Sequence, residues 1–134
     1  MKTTVVIPNY NGRNYLRDCL TSLLEGSVVP TIIVVDNGSA DDSAAMVKEM
    51  FPMVKLIALS RNRGFSAAVN IGIREAETEY VFLLNNDAVV LKDTIEELEA
   101  AMGRHPNAFS VAAKMLQMKN PELIDSAGDF YCAS

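Results

Sequence analysis

Short runs of β-branched residues recur along this chain with helix-period stretches between them, and that alternation limits the fold more than any other feature. The runs Thr3–Ile7, Thr31–Val35, Val54–Leu59, Tyr80–Leu84 and Phe109–Ala113 read as strands. Between them, apolar residues return at helical spacing: Tyr15, Leu16, Cys19, Leu20, Leu23 and Leu24, then Ala44, Val47 and Phe51. Phe65, Ala68, Val69 and Gly72 follow, and then Leu91, Ile95, Leu98 and Met102. Each set is expected to bury one helix face. Alternating strands and helices imply an α/β fold with a Rossmann-like, mainly parallel sheet. The near-continuous apolar strands call for helices on both faces, because parallel sheets are buried on both sides. Ser39 followed by Asp42, and Asp93 followed by Glu96, have capping-box spacing and are expected to start the second and fourth helices.

Composition narrows the function classes. A chain of 134 residues has room for one domain, and 49% hydrophobic with 22% charged residues is ordinary globular composition, which excludes disorder. The formal charge of −5, with no block of Lys or Arg, argues against nucleic acid as a partner. Cys19 and Cys132 lack metal-ligand spacing and read as buried free thiols. The apolar run Val5–Pro8 is too short for a signal-peptide core, and Val28–Val35, broken by Pro30, is too short to span a membrane. The expected location is cytoplasmic, with peripheral attachment to the inner membrane open for a longer protein. Residues 114–134 show no clear closing helix or strand, so the sheet is expected to be unfinished, with an open edge that would favour homo-oligomers.

In an open parallel sheet, ligands bind beyond the carboxyl ends of the strands. Those positions here are Pro8-Asn9-Tyr10-Asn11-Gly12, Asp36-Asn37-Gly38-Ser39, Ser60-Arg61-Asn62-Arg63-Gly64 and Asn85-Asn86-Asp87. All are rich in hydrogen-bonding groups, although Asn, Asp, Gly and Ser are also ordinary turn residues. Asp36 directly follows Ile32-Ile33-Val34-Val35, which puts a carboxylate at the tip of an inner strand, where it can accept hydrogen bonds from a base or a ribose. Asp87 puts an oxygen ligand at another strand end, suited to Mg²⁺ or Mn²⁺ shared with a substrate phosphate. An acidic chain with neither G-x-x-x-x-G-K-[ST] nor G-x-G-x-x-G has poor means of holding a diphosphate except through such a cation.

Val5-Val6-Ile7-Pro8-Asn9-Tyr10-Asn11-Gly12, Ile33-Val34-Val35-Asp36-Asn37-Gly38-Ser39, Asn62-x-Gly64 with Ala67-Ala68-x-Asn70-x-Gly72, and Leu83-Leu84-Asn85-Asn86-Asp87 occur in this order. Together they resemble the signature of family 2 glycosyltransferases of GT-A fold. The resemblance implies the nucleotide-sugar half of an inverting glycosyltransferase, with residues 1–113 as the donor half and 114–134 as the start of the acceptor side. It implies base or ribose contacts for Pro8, Asn9, Tyr10 and Asp36, and a base-pocket lining from Asn62, Arg63 or Gly64. Asp87 inherits the metal-ligand role of the D-x-D element, and Asn85 and Asn86 would meet ribose, phosphate or metal-bound water. Asn85 stands where the family's first Asp would be, as in rhamnosyltransferase-like members. The family's general base lies downstream and is expected beyond Ser134, with Asp125 and Asp129 as weaker candidates.

The implied donor is a UDP- or dTDP-linked sugar, and the implied acceptor a saccharide or lipid-linked saccharide in bacterial cell-surface polysaccharide synthesis. Taken alone, the chain is expected to bind donor without turnover. A non-catalytic nucleotide-binding module remains an alternative, as does a nucleotidyltransferase, although that class needs a basic, Gly-rich loop after the first strand. Asn70, a polar residue within a helix-period stretch, would fasten the third-strand loop if buried. His105, beside Pro106, suits a helix C-terminus better than a catalytic role.

Overall fold

The computed structural model describes residues 2–107 together with the short segments 115–116 and 124–126. The expected strand Phe109–Ala113 lies outside the described residues. Residues 1–95 form one compact unit and residues 96–134 a second.

The first unit is a four-stranded, wholly parallel sheet of order β3-β2-β1-β4. Its strands are β1 (Thr3–Asn9), β2 (Thr31–Asp36), β3 (Lys55–Ala58) and β4 (Tyr80–Leu83). Helices α1 (Arg13–Leu24), α2 (Ser43–Met50) and α3 (Phe65–Glu75) fill the connections. The central strands β1 and β2 are buried almost throughout, as their unbroken β-branched sequence demands. One face packs Val5, Ile7, Ile32 and Val34 against Leu16, Leu20 and Leu23 of α1 and Met46 and Val47 of α2. The other packs Ile33 and Val35 against Ala68 of α3. At about 1.5–3 kcal/mol for each fully buried large aliphatic side chain, these layers supply the main driving force for the fold.

Helix α3 lies unusually close to the sheet. A methyl group on Gly72 would fall 2.3 Å from Cγ1 of Val6 and 3.2 Å from Cγ2 of Val35, so only glycine permits this approach. Edge strands β3 and β4 depart from the expected two-sided burial. Val81 is 39% and Leu83 49% exposed, because α3 covers β1 and β2 and leaves that side of β4 bare.

The start of the second helix also differs from expectation, whereas the fourth begins directly after Asp93 as its spacing implies. The second helix begins at Ser43, and Ser39 does not cap it, because the Ser39 hydroxyl is spent on Asp36. Asp41 takes over locally, accepting from the Ser43 N–H at 3.0 Å and from the Ser43 hydroxyl. Burial alone would raise the Asp41 carboxyl, but the Ser43 bonds, the Arg13 N–H and the Arg13 charge outweigh it and hold it below its ordinary value. Helix α4 spans Thr94–Arg104, with Ile95 buried against the core of the first unit and Leu91 ahead of it exposed. Thr94 Oγ1 accepts from the Leu91 N–H at its start. In the second unit the His105 N–H closes α4 on the Ala101 carbonyl. That unit also holds a short antiparallel pair, β5 (Met115–Leu116) and β6 (Ile124–Ser126), where the sequence reading expects no regular element. Asp125 sits in β6, and Asp129 lies outside the described residues. No helix among the described residues is long and apolar enough to cross a membrane.

Candidate functional site

The sheet order sets the location of the site. From β1 the chain moves through β2 to β3 on one side, then crosses back to place β4 on the other side of β1. The carboxyl ends of β1 and β4 therefore flank the point where the strand order reverses, which is where open α/β sheets hold ligands. A pocket of about 350 Å³ opens there, lined by Pro8, Asn9, Tyr10, Asn37, Asn62, Phe65, Asn85, Asn86 and Asp87. Loops from all four parallel strands contribute to it.

Of the residues singled out in the sequence, Pro8, Asn9, Tyr10, Asn62, Asn85, Asn86 and Asp87 line this pocket. Arg63 and Gly64 do not, although both belong to the loop that carries Asn62. Asp36 is 4% exposed and stands one hydrogen bond behind the wall. Its Oδ1 accepts from Asn9 Nδ2 at 2.9 Å and from the Ser39 hydroxyl at 2.6 Å, and its Oδ2 accepts from the Ser39 N–H at 3.2 Å. Asn9 in turn accepts from Asn86 Nδ2 at 2.8 Å, joining the ends of β1, β2 and β4 through side chains alone.

Two lining residues escape the sequence reading. Phe65 counts there as part of a buried helix face, yet it is 63% exposed at the first turn of α3 and borders the pocket. Asn37 stands in the strand-end segment Asp36-Asn37-Gly38-Ser39 with no role assigned to it from the sequence, and it is the clasp of the third-strand loop. Its Oδ1 accepts from the Arg63 N–H at 2.8 Å, and its Nδ2 donates to the Gly64 carbonyl at 3.1 Å. The fastening role suggested for Asn70 thus belongs to Asn37, because Asn70 lies on the exposed side of α3. The loop is tightened further by the Gly64 N–H donating to Asn62 Oδ1 at 2.8 Å, and Gly64 has a φ of +91° that side-chain-bearing residues rarely adopt.

The β1 loop is held just as firmly. Asn11, at φ 53°, accepts from the N–H groups of Ala40 and Asp41, while its own N–H donates to the Ser39 hydroxyl. At the far side, Asn85-Asn86-Asp87-Ala88 makes a tight turn closed by the Ala88 N–H on the Asn85 carbonyl. Cys19 of α1 packs beneath it, its thiol 3.7 Å from that same carbonyl. Burial, helped by the negative charge of Asp87, pushes the Cys19 thiol up from 9.0 to about 12.

The donor set at this turn is one carboxylate with neighbouring amides. No group of three or more His, Cys, Asp or Glu among the described residues could hold a metal by itself. Asp87 is exposed at the pocket. Such a set suits a hard divalent cation that takes the rest of its coordination from water and from a bound phosphate.

The Glycosyl transferase family 2 model matches residues 4–125. Glycosyltransferase GlyA of Streptococcus pneumoniae is 37% identical over 100 residues, covering 72% of this chain and 14% of that protein. The crystal structure of Staphylococcus aureus TarS 1–349 in complex with UDP-GlcNAc superposes with a TM-score of 0.73 at 25% identity, covering 87% of this chain and 38% of that one. A mannosyltransferase from Pyrobaculum calidifontis, in complex with GDP-Man and Mn²⁺, gives a TM-score of 0.69 at 25% identity, covering 87% and 35%. The fold is that of GT-A glycosyltransferases, and the chain spans less than half the length of the curated relatives it matches. With its parallel sheet, its strand-end pocket and these matches in agreement, the chain belongs to glycosyl transferase family 2.

Proposed function

We propose that this chain is the donor-binding part of an inverting glycosyltransferase that moves a sugar from a nucleoside-diphosphate sugar to a hydroxyl acceptor in bacterial cell-surface polysaccharide synthesis. The observation that carries the reading is the pocket at the strand-order reversal, where Tyr10 and Phe65 offer aromatic faces and Asn85, Asn86 and Asp87 offer polar groups. A nucleotide sugar needs both, since a base or sugar face packs on aromatic rings while a diphosphate needs charge compensation. The ligands named with the TarS and mannosyltransferase structures support a UDP- or GDP-type donor, and the name of TarS, a poly(ribitol-phosphate) β-N-acetylglucosaminyltransferase, supports a polymeric acceptor.

In this reading residues 1–113 form the donor half, and Tyr10, Asn62 and Phe65 flank the base and ribose. Asp36 acts through Asn9, since it is 4% exposed and stands behind the pocket wall. Asp87 would hold Mg²⁺ or Mn²⁺, which when bound neutralises charge on the diphosphate leaving group. The rigid loops fastened by Asn37 and Asn11 keep the pocket formed before the donor arrives, which lowers the ordering cost of binding. Deprotonation of the acceptor falls to a carboxylate supplied from outside the donor half.

Calorimetric titration of the chain with UDP, dTDP and GDP, with and without Mn²⁺, tests this. Binding strengthened by Mn²⁺ is expected, and Asp87→Ala should remove the strengthening. No binding by the folded chain would remove the donor-site reading, and an unchanged affinity in Asp87→Ala would take Asp87 out of the site.

A further inference from the structure

The hydrogen bonds that join the strand ends have a direction, and the direction originates at Asp36. A carboxylate only accepts, so the atom that Asn9 turns toward Asp36 Oδ1 at 2.9 Å has to be its NH₂. That leaves the Asn9 carbonyl oxygen on the opposite side, where it meets Asn86 at 2.8 Å. An oxygen there admits only a donor, so Asn86 presents its own NH₂ to Asn9. Asn9 is 1% exposed, so no water is available to rescue a reversed amide. Turning either amide round would set oxygen against oxygen in a buried place, a costly arrangement.

The space around this relay is equally specific. A methyl group on Gly12 would sit 1.9 Å from Asn86 Nδ2, 2.5 Å from Asn9 Oδ1 and 2.9 Å from the Asn86 amide carbon. Glycine is therefore required for Asn86 to reach Asn9 at all. Among the described residues the Asn86 side chain makes no other hydrogen bond, and Asn86 lines the pocket between Asn85 and Asp87.

We infer that the buried relay Asp36–Asn9–Asn86 fixes the polarity of Asn86 so that its amide oxygen, and not its NH₂, faces the pocket beside Asp87 as an oxygen donor to a divalent cation or its bound water. Asn9 and Gly12 are positioning residues in this scheme, and neither touches the cation. The scheme separates two roles that the sequence leaves open for Asn86, since an outward oxygen suits a cation and repels a phosphate. It also ties the base side of the pocket to the diphosphate side, because the carboxylate that orders the β1–β2 end sets the atom presented at the β4 end. The inference rests on the donor-site reading above.

The test uses the whole chain and reads how far Mn²⁺ raises UDP affinity. In Gly12→Ala the added methyl meets both Asn86 and Asn9 and breaks the relay at their junction, while the Asp36 and Asp87 side chains themselves are unaltered. The Mn²⁺ enhancement, the ratio of UDP affinities with and without the metal, is expected to fall roughly tenfold, as for loss of one charge-assisted contact, over and above any change in the metal-free affinity. A merely structural defect would lower both affinities together. An enhancement unchanged in folded Gly12→Ala overturns the inference and leaves the donor-site reading standing. Absence of UDP binding by the wild type instead removes that reading. The polarity itself is decided without nucleotide, by ¹⁵N-edited NMR of the Asn86 side chain. Its NH₂ protons, held by Asn9, should exchange with water slowly in the wild type and about tenfold faster in Asp36→Leu, whose side chain offers Asn9 no acceptor and leaves its amide free to reverse. Equal exchange in the two proteins overturns the inference.

Discussion

Cys19 illustrates how a single residue reports on the site without belonging to it. Its thiol lies under the Asn85-Asn86-Asp87 turn, and burial with the Asp87 charge raises it to about 12. A thiol that keeps its proton three units above its ordinary range has roughly a thousandfold less reactive thiolate at neutral pH. In a Cys132→Ser variant, a disulfide reagent at pH 8 should leave Cys19 unlabelled until denaturant is added. The same shift makes stability pH-dependent. Above about pH 9 the unfolded thiol loses its proton while the native one keeps it, so stability declines steadily between pH 9 and about 12. Denaturant melts across that range check the sign. At this scale the sequence was only partly legible. Pro8, Asn9, Tyr10, Asn62 and Asn85 to Asp87 follow directly after apolar runs, and that position marks them for the strand-end edge. Phe65 carries no such mark, because periodicity does not reveal that the first turn of a helix overhangs its sheet; Asn37 shares the strand-end position, but its role stays hidden because a turn asparagine and a clasping asparagine look alike. Asn70 misled for the same reason, since spacing alone does not say which side of α3 meets solvent.

At the scale of elements, the β-branched runs named β1 to β4 because unbroken apolar sequence over a few residues is what burial between two helix layers requires. The ends of β3 and β4 were harder to place, since an edge strand is covered less and its apolar run continues past the last ladder pair. The start of α2 misled more, because Ser39 obeys the capping rule in spacing but spends its hydroxyl on Asp36. Helix α3 gives this scale its prediction. Alanine at position 72 gains up to about 1 kcal/mol in helix propensity, but its methyl group would lie 2.3 Å from Val6 in a closed interface. Overpacking of that kind costs about 1–3 kcal/mol, so the clash wins. Gly72→Ala should lower the unfolding free energy by about 1–2 kcal/mol in urea melts, opposite to what propensity alone implies.

For the whole molecule, the parallel sheet was implied by the strand–helix alternation, but the strand order and its point of reversal were not, because sequence spacing does not say on which side of β1 the fourth strand returns. That choice brings Asn86 beside Asn9 and so creates the site. It also leaves Val81 and Leu83 exposed on β4. Leu83→Lys, a charge on an exposed apolar strand position, should raise the concentration at which light scattering first detects association, while changing unfolding free energy by no more than about 0.5 kcal/mol. The all-parallel arrangement has a wider consequence. Every strand delivers its last residue to the same rim and its first to the opposite one, so substitutions that change ligand preference and substitutions that disturb the scaffold fall on different loops. Evolution can then rewrite the rim of Tyr10, Asn62 and Asp87 while the opposite turns, such as the one holding Thr78 against Thr4, are left as they are.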